Sequence, residues 1–469
     1  MTSSLYLGAT RPLRAATAPV PLLLPAHHLV THGVVVGMTG SGKTGLLTVM
    51  VEEALRNRVP TLVIDVKGDL PNLLLSFPSF AAEALAPWVH GEPTSPASRE
   101  QLAQALAEER KKGLQAWRLG EPDLARFCST TDIRVLTPGS SAGEPLHVLS
   151  SLERPSQRWQ HDPEGARASL SAAISLLLRL LGRDPDPAKS RDHVLLSVLA
   201  ERRLQRGESA ELAALIQDLA SPPLSHIGAL EVDAFVSRRA RKDLAAALNT
   251  LLASPTFASW RKGRTLDFAD FLRSDGDHTP VTIVSVAHLD DDERALVLGV
   301  LLEELLSWVR SLPGSQQLRA LVVFDEVYGF LPPHPHNPPT KRPLVALMKQ
   351  ARAFGVGIVV ATQNPMDLDY RALSNAGLWC IGRLQTDADR ERVLESLAGP
   401  SPGEEADLAD MLKRLAPRWF LMRNAQVSEG TLLMQPRWTM SFLRGPMTRG
   451  EIQRAREARA ATSSGPAPA

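Results

Sequence analysis

Three consecutive valines, Val34-Val35-Val36, run directly into Gly37-Met38-Thr39-Gly40-Ser41-Gly42-Lys43-Thr44, and no other stretch constrains the fold as much. The octet fits G-x-x-x-x-G-K-[ST]. Glycines at these positions let successive backbone N–H groups turn inward as an anion nest. A helix starting where the loop ends adds its positive end. Leu46 to Arg56 reads as that helix, and Thr61-Leu62-Val63-Ile64-Asp65 as a second buried strand. Strand, loop, helix and strand make one βαβ unit, which requires a parallel sheet. In this unit Gly37, Thr39, Gly40, Ser41 and Gly42 form a phosphate cradle. Lys43 reaches the β- and γ-phosphates, and the Thr44 hydroxyl ligates magnesium. The expected ligands are ATP and Mg2+.

The same alternation returns late in the chain. Val281–Val286 reads as a strand and Asp291–Leu312 as a long amphipathic helix. Leu321-Val322-Val323-Phe324 is an apolar run ending in Asp325-Glu326. A buried parallel strand presents its carboxyl end to the ligand crevice. Asp325 there holds magnesium through water, and Glu326 acts as general base on the attacking water. Gly357-Ile-Val-Val-Ala-Thr-Gln363 is a further buried strand, whose Gln363 amide can donate and accept and so orient the water or sense the γ-phosphate. Leu344 to Phe354 reads as a basic helix, with Val356–Ala361, Leu378–Ile381 and Trp419–Met422 as apolar runs beyond it. Arg352, ahead of the Gln363 strand, is a candidate arginine finger for a neighbouring subunit, and Arg383 is a second. Asp65-Val66-Lys67-Gly68-Asp69 ends its strand on the same edge, either lining the site or simply closing the strand.

Between these halves the pattern is different. Residues 97–270 read as a largely helical insertion, with 3.6-residue periodicity over Ala168–Leu181, Arg191–Gln205 and Lys242–Leu252, interrupted by one strand at Ile133–Leu136. The organisation expected is a short N-terminal segment (1–30), the first part of the nucleotide domain (31–96), the insertion (97–270), the second part (271–445), and a C-terminal helix and tail (446–469). Residues 460–469 are rich in Ala, Ser, Pro and Gly and are expected to be disordered.

Bulk properties exclude more than they assign. Lys plus Arg number 52 against 51 Asp plus Glu, a formal net charge of +1, so any nucleic-acid surface must be a local stripe. Cys128 and Cys380 match no metal or redox spacing, and His27-His28 and His334-Pro335-His336 lack carboxylate or thiol partners at ligand spacing, so no zinc is expected. No run approaches the ~18 apolar residues of a membrane span. The expectation is a cytoplasmic protein.

Taken together, GMTGSGKT, DVKGD, LVVFDE and QARAFGVGIVVATQNP, followed by LSNAG and IGRLQT, resemble the HerA/FtsK superfamily. The resemblance covers about residues 31–70 and 280–435, and the helical middle is similar to a bacterial HerA-like, helicase-domain-containing group. It implies an α/β fold: a three-layer RecA-like P-loop domain of the additional-strand, catalytic-glutamate (ASCE) type, with a mostly parallel sheet and a largely helical insertion. It further implies a hexameric ring that moves DNA through its pore, with Lys43 and Thr44 on phosphate and magnesium, Asp325 on magnesium, Glu326 as base, Gln363 as sensor and Arg352 as the finger acting across subunits. Lys341, Arg342 and Lys349 are candidates for the pore. About 30 residues ahead of the first βαβ unit are too few for the N-terminal barrel of HerA helicases, and neither the membrane helices nor the winged helix of FtsK is evident. Two other readings stand beside the DNA motor: an ATPase acting on a protein substrate, as in secretion, and a slow nucleotide switch governing a partner nuclease or complex. In the switch reading the Pro-rich loop 332–343 reports nucleotide state.

Overall fold

Strands with apolar residues on both faces must be covered from both sides, and this chain builds its layers on that requirement. The computed structural model describes residues 3–13, 17–89, 96–153, 158–255, 257–363, 365, 368–373, 376–396, 402–427 and 430–463. The tail expected to be disordered lies in large part outside them. One sheet has eleven strands. In chain order these are β1 (Ser4–Pro12), β2 (Val20–Pro25), β3 (Gly33–Val36), β4 (Thr61–Asp65), β5 (Thr131–Leu136), β6 (Thr279–Ser285), β7 (Ser315–Asp325), β8 (Phe354–Thr362), β9 (Leu378–Ile381), β10 (Phe420–Asn424) and β11 (Thr431–Pro436). Across the sheet they run β2-β1-β11-β10-β9-β3-β8-β7-β4-β6-β5. The seven from β9 to β5 are parallel, and the other four pair antiparallel.

The two-residue period of β7 divides the core. Leu321 and Val323 face the cluster that contains Leu46, Val49 and Met50 of helix α1 (Lys43–Arg56). Val322 and Phe324 face the opposite cluster, built with the long helix Asp291–Ser311. The result is three layers: helices, sheet, helices.

The segment 97–270 divides between both faces. Helices α2 (Pro96–Gln115) and α3 (Glu121–Thr130) contribute Leu114, Leu124 and Phe127 to the α1 side, and β5 extends the sheet itself. Helices α4 (Pro163–Leu180), α5 (Arg191–Gln205), α6 (Leu212–Ala220) and α7 (Arg238–Ala253) belong to the other face. Their starts are set locally: Asp162, Ser190 and Ser237 accept from the N–H groups of Gly165, His193 and Ala240 at 3.0, 3.2 and 3.3 Å. Among the described residues no helix is long and apolar enough to cross a membrane.

Within the first thirty residues, Ser4–Pro12 and Val20–Pro25 join the sheet. Leu5 and Leu7 of β1 are fully buried, and β1 zips onto β11 from Gly8–Pro436 to Pro12–Leu432. Behind them a buried ion cluster ties the two ends of the chain to the phosphate loop's helix. The guanidinium of Arg437, fully buried, sits 2.8 Å from Glu52 and 2.9 Å from Glu53 on α1. Glu52 also accepts from the N–H groups of Met440 and Ser441, and Glu53 from that of Tyr6. Removing one member of such a cluster leaves uncompensated buried charge. Arg437→Met is expected to lower the unfolding free energy by about 3–5 kcal/mol in urea titration, whereas a change under ~1 kcal/mol contradicts this account of the cluster.

Candidate nucleotide-binding site

The phosphate loop leaves β3 and is closed from behind by its neighbours. Met38 N–H donates to the Arg383 carbonyl at 2.8 Å, and Gly37 N–H to that of Thr362 at 3.3 Å. Gly42 has φ +99°, and a Cβ there would meet the Arg418 backbone at 3.1 Å, so the turn into α1 requires glycine. Lys43 is buried, and its Nζ donates to the carbonyls of Gly37 and Met38. Burial pushes its pKa down to about 8; Glu326 opposes the fall, Lys67 deepens it and Asp325 opposes it again. Thr44 is half-buried beside it. The buried Ser41 Oγ has no hydrogen-bond partner among the described residues.

Three carboxylates end adjacent strands. Asp65 (β4) and Asp325 (β7) are paired in register. Asp65 shapes the chain: Oδ1 accepts from Gly68 and Leu70 N–H at 3.0 and 3.3 Å, and Oδ2 from Ser285 Oγ at 2.7 Å. Burial raises its pKa to about 6. Asp325 Oδ2 is buried without a partner among the described residues, and burial, reinforced by Asp65, raises its pKa to about 7. An unpaired buried carboxylate facing a lysine suits a cation carried in with a phosphate ligand. Among the described residues no three His, Cys, Asp or Glu cluster as a metal site, so such an ion must take further ligands from a hydroxyl, water or the nucleotide. Asp325 fits Mg2+ on this ground.

Glu326 has φ +58°, a left-handed conformation that costs a non-glycine residue about 1–3 kcal/mol. It is held there by donors. Oε1 accepts from Gln363 N–H at 3.2 Å and Thr362 Oγ1 at 3.5 Å; Oε2 accepts from Gln363 Nε2 at 2.8 Å and Lys67 Nζ at 2.5 Å. The Gln363 Oε1 in turn accepts from Thr39 Oγ1 at 2.5 Å. Thr39, Lys43, Lys67, Asp325, Glu326 and Gln363 thus share one edge, although they are spread over residues 39–363.

The arginine candidates lie apart from one another. Arg352 is exposed on a short 3-10 turn at the amino end of β8. Gln363 follows the other end of that nine-residue strand, roughly 30 Å away at 3.3 Å per residue. Within one subunit Arg352 cannot reach its own phosphate loop. Arg383 lies beside the loop in the same chain, its carbonyl engaged by Met38. Of the pore candidates, Arg342 and Lys349 are exposed on the helix Lys341–Gln350. Lys341 is not free: only 13% of its side chain is exposed, and Nζ pairs with Asp369 at 3.3 Å and with the His336 carbonyl. The histidine pairs lie outside the site, with His28 meeting Asn424 and His334 exposed. One residue of the site, Arg418, carries no evident sequence signal. Arg418 buttresses Gly42 and donates its N–H to the Ser41 carbonyl at 2.9 Å, while its guanidinium lies 5.3 Å over Trp438. Of the two readings of Asp65–Asp69, lining the site holds for Lys67, through a contact with Glu326 that the sequence did not show.

A parallel sheet with a phosphate loop after one strand and a carboxylate pair after another defines a P-loop NTPase fold. A family model described as "Helicase HerA, central domain" matches residues 11–132. The DNA double-strand break repair helicase HerA of Saccharolobus solfataricus is 29% identical over 139 residues, which cover 29% of this chain and 27% of that protein. The chain therefore matches only about a quarter of that relative's length. Among solved structures, VirB4 of Thermoanaerobacter pseudethanolicus aligns over 93% of this chain and 96% of its own, with a TM-score of 0.52 at 12% identity, a likeness of fold. The bacterial conjugative coupling protein TrwB aligns over 95% and 96% at 12% identity with a TM-score of 0.49. Over residues 11–132 the chain is thus similar to the central domain of HerA helicases, and its fold is like that of VirB4.

The two aspartates give the fold a pH dependence. Their folded pKa values, about 7 and 6, lie above the unfolded value of 3.8. Their contribution to stability is therefore full below pH 3.8 and is lost as pH rises through the folded values. In thermal melts without nucleotide or metal, Asp325→Asn is expected to melt higher than wild type at about pH 8. The gap should close by about pH 4, where Asp325 is protonated in the folded protein. Equal melting temperatures at both pH values would contradict the burial argument.

Proposed function

We propose that this protein is a magnesium-dependent ATPase that works as a ring and uses hydrolysis to move along DNA. The observation that carries this reading is the convergence of Lys43, Asp325, Glu326 and Gln363 at one strand edge while Arg352 is exposed at the opposite one. Lys43, which now donates to two loop carbonyls, turns to the β- and γ-phosphates when ATP enters the cradle. Thr44 and Asp325 hold Mg2+, which neutralises charge on the phosphate oxygens. Glu326 takes the proton of the attacking water, and Gln363, able to donate and accept, orients that water. Arg352 serves the γ-phosphate of a neighbouring subunit, because its own lies too far away.

Support for DNA comes from the aligned quarter of a relative named as a DNA double-strand break repair helicase. The exposed Arg342 and Lys349 offer phosphate contacts. The test is ATP turnover with and without double-stranded DNA at low salt, for wild type, Glu326→Gln and Arg352→Ala. DNA should stimulate wild type, and each variant alone should lose at least about 100-fold. Mixing the two variants should restore part of the rate, since a ring then contains sites with both an intact glutamate and a neighbour's arginine. Hydrolysis indifferent to DNA would turn the reading toward a protein substrate or a nucleotide switch. Absence of hydrolysis in wild type would end it.

A further inference from the structure

The Glu326 carboxylate has about four lone-pair positions, and four donors approach them: Gln363 N–H, Thr362 Oγ1, Gln363 Nε2 and Lys67 Nζ. A carboxylate in this state is a poor acceptor for a proton from water. Thr362 Oγ1 and Gln363 N–H stand at and just past the end of β8, and the Gln363 side chain is tied to Thr39 through its Oε1. The fourth stands on a flexible four-carbon stem whose side chain is 34% exposed, against 11% for Glu326. Lys67 is therefore the donor that can leave without disturbing the strand end or the Gln363–Thr39 contact.

Its presence at Glu326 is built in from behind. Asp65 folds residues 66–70 into a turn through Gly68 and Leu70 N–H. Gly68 takes φ +89°, and its carbonyl accepts from Met447 N–H at 2.9 Å. The backbone of Lys67 is thus tethered on one side by a buried aspartate and on the other by the C-terminal segment. From there the ammonium reaches a carboxylate 259 residues away in the chain.

We propose that Lys67 is a positioning residue that holds Glu326 idle, so that the resting rate of hydrolysis is set by how often the Lys67–Glu326 pair opens. This rests on the reading of Glu326 as the base. The pair is only partly buried, so its opening is a modest equilibrium rather than an absolute block.

The test is steady-state ATP turnover without DNA, together with affinity for a non-hydrolysable ATP analogue, for wild type, Lys67→Met, Lys67→Arg and the Lys67→Met/Glu326→Gln double variant. Lys67→Met is expected to raise kcat about two- to fivefold, with analogue affinity within about twofold of wild type. Lys67→Arg, which keeps the cation, should stay near the wild-type rate, and the double variant should be inactive. A fall in kcat in Lys67→Met would make Lys67 a participant in the chemistry. A loss of analogue affinity would make it a phosphate ligand, and no change in either would leave it structural. Each of these three results overturns the proposal while leaving Glu326 as base. If Glu326→Gln in the wild-type background hydrolyses normally, the reading of the site fails, and the proposal falls with it.

Discussion

Parallel strands deliver their carboxyl ends to one edge, and this constraint brings the site together. β3, β8, β7 and β4 are neighbours in the sheet but distant in the chain. Their ends supply, in that order, the glycine loop, Thr362-Gln363, Asp325-Glu326 and Asp65 with the turn carrying Lys67. No local interaction could bring Lys67 to Glu326; the register of β4 against β7 does so by pairing Asp65 with Asp325. Both faces of these strands must be dry for the register to hold, which explains why valine, isoleucine and leucine fill them.

Gathering charge at a dry edge has consequences. Asp65 is compensated by two backbone N–H groups and a serine hydroxyl, whereas Asp325 keeps an oxygen without a partner among the described residues. Glu326 occupies a left-handed backbone conformation, and Lys43 is held in a buried position where its charge is disfavoured. Local rules are broken at the same few residues whose types suit phosphate chemistry, which is where such departures are expected in a folded protein. The Arg437–Glu52–Glu53 cluster is the counterweight: a satisfied buried network behind α1 that fixes the helix on which the phosphate loop ends.

How much was legible in the sequence depended on distance along the chain. The loop Gly37–Thr44 and the run ending in Asp325-Glu326 are local patterns whose chemistry lies in a few adjacent residues, and the structure brings both to one edge. The parallel strands could be read because an apolar run bounded by turn residues has few alternatives. The antiparallel edge could not: β1 and β2 carry prolines, and they join the sheet through β1 pairing with β11 near the other end of the chain and β2 pairing with β1. The partners of Arg437 and Lys67 were opaque for the same reason, since they lie 385 and 259 residues away, although the segment of Lys67 could be read as lining the site or closing its strand. Lys341 reads as a pore cation in sequence, but Asp369, brought in by tertiary folding, neutralises it. Arg352 is a candidate by its position before a strand, and the fold places it, exposed, at the strand end opposite its own phosphate loop.

The central claim is that this edge binds ATP through Lys43 with magnesium. The most direct measurement is calorimetric titration of ATP into wild type and Lys43→Ala, with Mg2+ and with a chelator. The account predicts binding to wild type that tightens with Mg2+ and weakens by at least about tenfold, ~1.4 kcal/mol, in Lys43→Ala. Equal affinity in the two proteins, or no binding by wild type with Mg2+ present, would contradict it.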